Sequence, residues 1–245
     1  MRPLLVSAVA ATFAFCENPA DAQVATDTAP TLPNIVLILA DDLGYRELGS
    51  FGQQKILTPH LDQLATEGMR LTQHYSGNAV CAPSRCVLMT GRHPGRAAIR
   101  DNRSTPPEGQ TPLPHAEITL AEVLRERGYI SGAFGKWGLG GPGSEGEPMN
   151  QGFDRFFGYN CQSHAHSYYP DYLWSNSARV ALNNSPPIPG HGKLTAGADP
   201  ADPKSYAAFK GQEYAPDLFM KEALSWIGGH KSGPFFPVSY THLTL

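Results

Sequence analysis

Asn34-Ile35-Val36-Leu37-Ile38-Leu39-Ala40-Asp41-Asp42 is a continuous apolar, partly β-branched run that ends on two carboxylates. A run this short, followed at once by the polar turn Asp41-Asp42-Leu43-Gly44-Tyr45, predicts a strand over 34–40 buried on both faces, as in a parallel sheet. Open α/β sheets bind ligands at the carboxyl ends of their central strands, which is where the two aspartates fall. Adjacent carboxylates repel, so the pair suits a divalent cation. A helix cap or a solvated turn fits the same two residues.

Further along, Thr119 is placed to cap a helix carrying Leu120, Val123 and Leu124, with Gly128 as its stop. Tyr129-Ile130-Ser131-Gly132-Ala133-Phe134 then reads as a second strand, running into Gly135-Lys136-Trp137-Gly138. Lys136 is therefore expected at the same sheet edge as Asp41 and Asp42. Between the two strands lies Val80-Cys81-Ala82-Pro83-Ser84-Arg85-Cys86-Val87-Leu88-Met89-Thr90-Gly91-Arg92. Pro83 suits the first turn of a helix, because its missing N–H has no intrahelical partner there. That puts Cys81 just before the helix, at the positive end of its dipole, with Arg85 one turn above on the same face. A reactive thiol beside an anion site is the chemical reading. A buried structural cysteine ahead of a surface helix fits these residues as well.

The remaining elements are simpler. Thr58-Pro59 opens a helix through Leu61, Leu64 and Ala65 that Gly68 closes, and 69–75 alternates weakly enough to predict a short strand. A loop-rich stretch, 175–202, surrounds a short strand over 179–182, and Pro216 lies in the first turn of a helix over 214–227. Gly233-Pro234-Phe235-Phe236 begins another central strand, but Pro237 lacks the N–H a ladder needs. The segment 237–245 is therefore expected to stay out of the sheet. It resembles peptide translated from sequencing adapter and reads as a non-native tail.

The 245 residues, 41% of them hydrophobic, suit one globular domain with a real core. A net charge of −3 and the lack of any basic run argue against nucleic acid as a partner. No apolar run is long enough to span a membrane. Arg2, the apolar stretch from Leu4 to Phe15, and Ala20-Asp21-Ala22 read as a secretory signal over 1–22, followed by a flexible leader over 23–32. The expected location is secreted or periplasmic. Bulky Phe15 does not suit lipidation of Cys16. Without the signal, Cys81, Cys86 and Cys161 remain, an odd number that leaves at least one thiol outside a disulfide. Spacing does not say whether Cys86 and Cys161 pair.

Cys81-Ala82-Pro83-Ser84-Arg85, followed by Thr90-Gly91-Arg92, resembles the C-x-P-S-R…T-G-R signature of the type I sulfatases. Gly128-Tyr129-Ile130-Ser131 through Gly135-Lys136-Trp137 is similar to their second signature, G-Y-x-S/T-x-x-x-G-K-W. Thr58-Pro59-His60-Leu61-Asp62, the R-x-x-x-R-D-N segment over 96–102 and Gln151-Gly152-Phe153-Asp154 follow the family in the same order. The landmarks cover 33–236, the first half or so of a typical member. The resemblance implies an α/β fold of the alkaline-phosphatase-like kind, a large mixed β-sheet flanked by helices, truncated before the C-terminal subdomain. It implies oxidation of Cys81 to Cα-formylglycine by a separate formylglycine-generating maturation enzyme. It also implies Ca2+ or Mg2+ held by Asp41, Asp42 and position 81, and sulfate oxygens held by Arg85 and Lys136. The implied reaction is hydrolysis of the sulfate ester of a small molecule or carbohydrate.

One departure matters. Many members carry a histidine two residues after the lysine, where this chain has Gly138. Gln162-Ser163-His164-Ala165-His166 is the obvious substitute source, so His164 and His166 are both candidates, each with a structural or surface role as its alternative. A phosphate or phosphonate monoester hydrolase of the same fold, and an inactive truncated fragment, are the rival readings of the whole.

Overall fold

The strand that ends on Lys136 is covered on both faces, and the rest of the fold is arranged about it. The computed structural model describes residues 32–242; the expected secretory signal over 1–22, nearly all of the leader over 23–32, and 243–245 lie outside the described residues. Six strands form one sheet in the order β1 (Leu37–Asp41), β6 (Phe235–His242), β2 (Ile130–Lys136), β3 (Arg155–Tyr159), β4 (Tyr172–Ser175), β5 (Ala178–Ala181). The first four in that order run parallel, and β4 and β5 add antiparallel pairs. This is the mixed α/β sheet that the sequence predicts. Between the parallel strands the chain passes through α1 (Pro59–Glu67), α2 (Cys81–Thr90), α3 (Leu120–Arg125) and α4 (Ala215–Gly229), because a parallel pair needs a long crossover. The antiparallel β4–β5 pair needs only a two-residue turn, with Asn176 in the left-handed region at φ 52°.

Alternation along the strands divides the core into two layers. Ala133, Phe156, Phe236, Val238 and Tyr240 face α2 and α3, joining Ala82, Cys86, Met89 and Ala121. Phe134, Phe157 and Tyr159 face the other way, against Ala215, Phe219 and Ala223 of α4. Each fully buried phenylalanine contributes about 1.5–3 kcal/mol from burial alone. Thr119 caps α3 as predicted: its hydroxyl accepts from the Glu122 N–H, and the Glu122 carboxylate accepts from the Thr119 N–H at 2.7 Å.

Three expectations are corrected. The segment beginning at Pro237 does enter the sheet: β6 pairs with β1 on one side and β2 on the other. The Ile35 N–H donates to the Phe235 carbonyl at 3.0 Å, so alternation turns the backbone groups of Phe235 and Pro237 toward the β1 side. Pairing there starts only at Leu37 with Val238, so the missing N–H costs no more than one bond at the margin of that ladder. Second, β1 is not covered on both faces: it pairs only with β6 among the described residues, and Ile38 is 62% exposed. Third, 69–75 forms no strand. Cys86 and Cys161, whose pairing the spacing left open, are both free thiols.

Candidate active site

Val80, a β-branched residue, sits at φ 57° and ψ 172°, a backbone region that side chains of its type rarely adopt. The turn it makes starts α2 at Cys81, one residue earlier than predicted, with Pro83 at the third helical position. The first four N–H groups of a helix lack intrahelical partners, so the proline still fits there. The Ala82 N–H donates to Asn102 Oδ1 at 2.9 Å, which ties the R-x-x-x-R-D-N segment to the start of the helix. The 20-residue separation of Asn102 from Ala82 leaves no local sequence signal for this contact.

Three elements then converge on Cys81. Lys136, at the end of β2, donates from Nζ to Cys81 Sγ at 3.1 Å and to Asp41 Oδ2 at 2.6 Å. Arg85, one turn along α2, places Nη2 3.3 Å from the same Asp41 oxygen, and its Nη1 donates to the Lys136 carbonyl. The guanidinium also lies 4.6 Å from the centre of the Tyr240 ring. Lys136 and Arg85 are each 1% exposed, while the Asp41 side chain is 12% exposed. Two buried cations thus share one carboxylate oxygen. Arg85 Nε and Nη2 are buried and make no hydrogen bond among the described residues, Nη2 having only its ion pair with Asp41. Asp42, in the left-handed region at φ 59°, is exposed and lines the same cavity as Asp41, Cys81 and Arg85, a space of about 260 Å³.

The strands can close this tightly because of a glycine. A Cβ at Gly135, φ +103°, would come within 2.1 Å of the Tyr240 carbonyl oxygen. Two residues past Lys136, a Cβ at Gly138, φ +75°, would meet the Gln162 amide at 2.0 Å. Gln162 therefore occupies the space of the side chain that position 138 lacks, and its Nε2 donates to the Gly138 carbonyl at 3.3 Å. Its Oε1 is buried without a partner among the described residues. The motif around Gly138 was readable; that Gln162 fills it was not, because a 24-residue separation carries no local pattern.

His164 and His166 go to different surroundings. His164 Nδ1 lies 3.6 Å from Glu108 Oε1, an ionic contact too long for a hydrogen bond, and the ring packs on Tyr172 at 4.3 Å. Glu108 also accepts from the Tyr172 hydroxyl, Trp174 Nε1 and Arg179 Nη2. Burial alone would push the Glu108 carboxyl up, but the His164 imidazole, the Tyr172 hydroxyl and the Trp174 indole together hold it down at about 2. His166 instead sets Nδ1 2.8 Å from His191 Nε2. Both ring nitrogens of His164 are buried without a hydrogen bond among the described residues, so neither is bonded to Cys81.

A family model for sulfatases matches residues 33–243. The chain belongs to the sulfatase family. It is 42% identical over 168 residues to mouse steryl-sulfatase, a match covering 64% of this chain and 26% of that protein. It is 50% identical over 127 residues to human arylsulfatase A, covering 51% of this chain and 25% of that enzyme. Among solved structures, Ps i-CgsB superposes with a TM-score of 0.67 at 27% identity, over 85% of this chain and 45% of the other. The PsFucS1 sulfatase from Pseudoalteromonas sp. shares the fold with a TM-score of 0.61. This sulfatase chain thus spans about a quarter of the length of the curated relatives it matches.

A divalent cation finds part of a site. Asp41 and Asp42 present hard oxygen donors to one cavity, the chemistry Ca2+ and Mg2+ prefer. Two carboxylates supply about four oxygens at most, against the six to eight that calcium takes. Consistently, no group of three or more His, Cys, Asp or Glu side chains converges as a metal centre among the described residues. The donors fit one wall of a cation site in this sulfatase.

Proposed function

We propose that the whole protein hydrolyses sulfate esters at position 81. One observation carries the reading: Arg85 and Lys136, both fully buried, meet beside Cys81 with a single carboxylate oxygen between them. Buried charge is costly unless matched, so two cations sharing one carboxylate favour an additional anion in the cavity. A sulfate group supplies that anion.

Conversion of Cys81 to formylglycine by a maturation enzyme would supply the nucleophilic hydroxyl there. A Ca2+ or Mg2+ ion at Asp41 and Asp42 would supply further positive charge for the sulfate oxygens. Arg85 offers Nε and Nη2 to those oxygens, and Lys136 reaches both the nucleophile position and the bound group. Asp41 holds Lys136 in place through the 2.6 Å contact between its Oδ2 and Nζ. The leaving alcohol needs a proton, and we assign that role to His164, whose Nδ1 lies 3.6 Å from Glu108 Oε1. His166, turned toward His191, takes no part in this assignment.

The test is the maturation itself. Coexpressed with a formylglycine-generating enzyme, the peptide containing Cys81 is expected to lose about 18 Da, the thiol-to-aldehyde change. An unmodified thiol, under conditions that mature a control sulfatase, would overturn the assignment of position 81.

A further inference from the structure

Lys136 reaches Cys81 from a backbone that bends on both sides of it. Gly135 lies at φ +103° and Gly138 at φ +75°, a region that glycine enters freely and other residues only under strain. That freedom has to be restrained if the lysine is to stay in place, and the turn is fastened residue by residue. The Lys136 carbonyl accepts from Arg85 Nη1, and the Trp137 N–H donates to the Tyr159 carbonyl at 2.8 Å. The Gly138 carbonyl accepts from Gln162 Nε2 at 3.3 Å, a side chain sent across from the segment that follows β3.

The chemistry of Gln162 is not what packing alone would select. The residue is 5% exposed, and its Oε1 is buried without a hydrogen bond among the described residues. An unpaired buried acceptor is a cost that methionine, filling the same space, would not carry. The donor half of the amide is the part that earns its place, since it alone meets the Gly138 carbonyl. The fit is close: a Cβ at Gly138 would come within 2.0 Å of Nε2, so position 138 cannot carry a side chain while Gln162 holds this pose.

We propose that Gln162 is a positioning residue for the reaction at position 81: its amide donor holds the turn after β2, and through that turn the Lys136 Nζ that lies 3.1 Å from Cys81 Sγ. The proposal rests on the sulfate-ester reading and adds a residue to it. Losing the hydrogen bond shifts the lysine without removing its charge. A small misplacement costs more in the transition state than in substrate binding, so the effect falls on kcat.

The experiment measures kcat and KM of the matured full-length protein for an aryl sulfate, in wild type, Gln162→Met and Gln162→Glu, from about pH 4 to 8. Methionine keeps the length and removes the donor; kcat is expected to fall about fivefold or more, with KM within about twofold of wild type. Glutamate keeps the shape but, when ionised, turns only acceptors toward the Gly138 carbonyl; once protonated it regains a donor. Its kcat relative to wild type is expected to match the methionine variant at high pH and to recover about threefold or more as pH falls. A purely space-filling residue would show neither effect. Wild-type kcat in Gln162→Met, or a Gln162→Glu ratio that does not rise with acidity, overturns the proposal while leaving sulfate-ester hydrolysis intact. If Gln162→Glu does not fold, Gln162→Met decides alone. A wild type inert toward the aryl sulfate overturns the sulfate-ester reading and this proposal with it.

Discussion

The two strands that bring charge to the site end in opposite surroundings. β2 lies between β6 and β3 with helices on both faces, and Lys136 at its end is 1% exposed. β1 has one neighbour among the described residues, and Asp42 just past its end is exposed. The contrast extends beyond the strands. Around β2 nearly every apolar side chain is buried, whereas α1 buries none of its residues and Leu57, Met69 and Tyr75 are 89%, 85% and 76% exposed. The cationic side of the site is thus enclosed by packing, while the acidic side is divided: Asp41 is held by Lys136 and Arg85, and Asp42 is open. Anion binding needs only the first side. A full cation site needs more than the second offers.

The strongest way to break this contrast is to neutralise the two aspartates separately. Asp41→Asn leaves Arg85 and Lys136 buried without their shared carboxylate, a loss of about 3–5 kcal/mol in urea unfolding. Asp42→Asn, on an exposed side chain, is expected to stay within about 0.5 kcal/mol. Equal losses would mean that the two carboxylates are not divided between a buried and an open side.

A smaller effect sharpens the packed side. The Glu108 carboxyl, ordinarily near 4.5, is held at about 2, so its ionised form is bound more tightly by the folded chain than by the unfolded one. A depressed carboxyl contributes stability fully above its unfolded value and loses it as pH falls through its folded value. Wild-type stability minus that of Glu108→Gln is therefore expected to be flat above pH 4.5 and to shrink between pH 4.5 and 2. Chemical denaturation at several pH values measures it. A difference constant down to pH 2 would contradict the arrangement around Glu108.

The smallest effect is at Val80. Glycine tolerates φ 57° and ψ 172° where valine is strained, and the side chain is 60% exposed, so little packing is lost on truncation. Val80→Gly is expected to raise stability by about 1 kcal/mol. Destabilisation by a similar amount would show that the turn before Cys81 is unstrained.

The legible parts of this molecule were those fixed by neighbours in sequence. Pro83 and Arg85 placed the nucleophile helix to within a residue, Thr119 its cap on α3, and Lys136 the end of a buried strand. Contacts between distant segments were not legible. Nothing local shows that Asn102 meets Ala82, that Gln162 fills the space at Gly138, or that Glu108 gathers His164, Tyr172 and Trp174. Two misreadings came from trusting a local rule. Weak alternation over 69–75 suggested a strand, but that segment has no sheet to pair with. Pro237 suggested a strand breaker, yet its missing N–H falls where the β1 ladder has scarcely begun.

Relative hydrolysis of aryl sulfate and aryl phosphate by the matured full-length protein tests the central claim most directly. The pair Arg85 and Lys136 beside position 81 is assigned to a sulfate ester, so the aryl sulfate is expected to have the higher kcat/KM by at least tenfold. Lys136→Met is expected to abolish most of that turnover. A preference for the phosphate, or Lys136→Met turnover equal to wild type, would contradict the account.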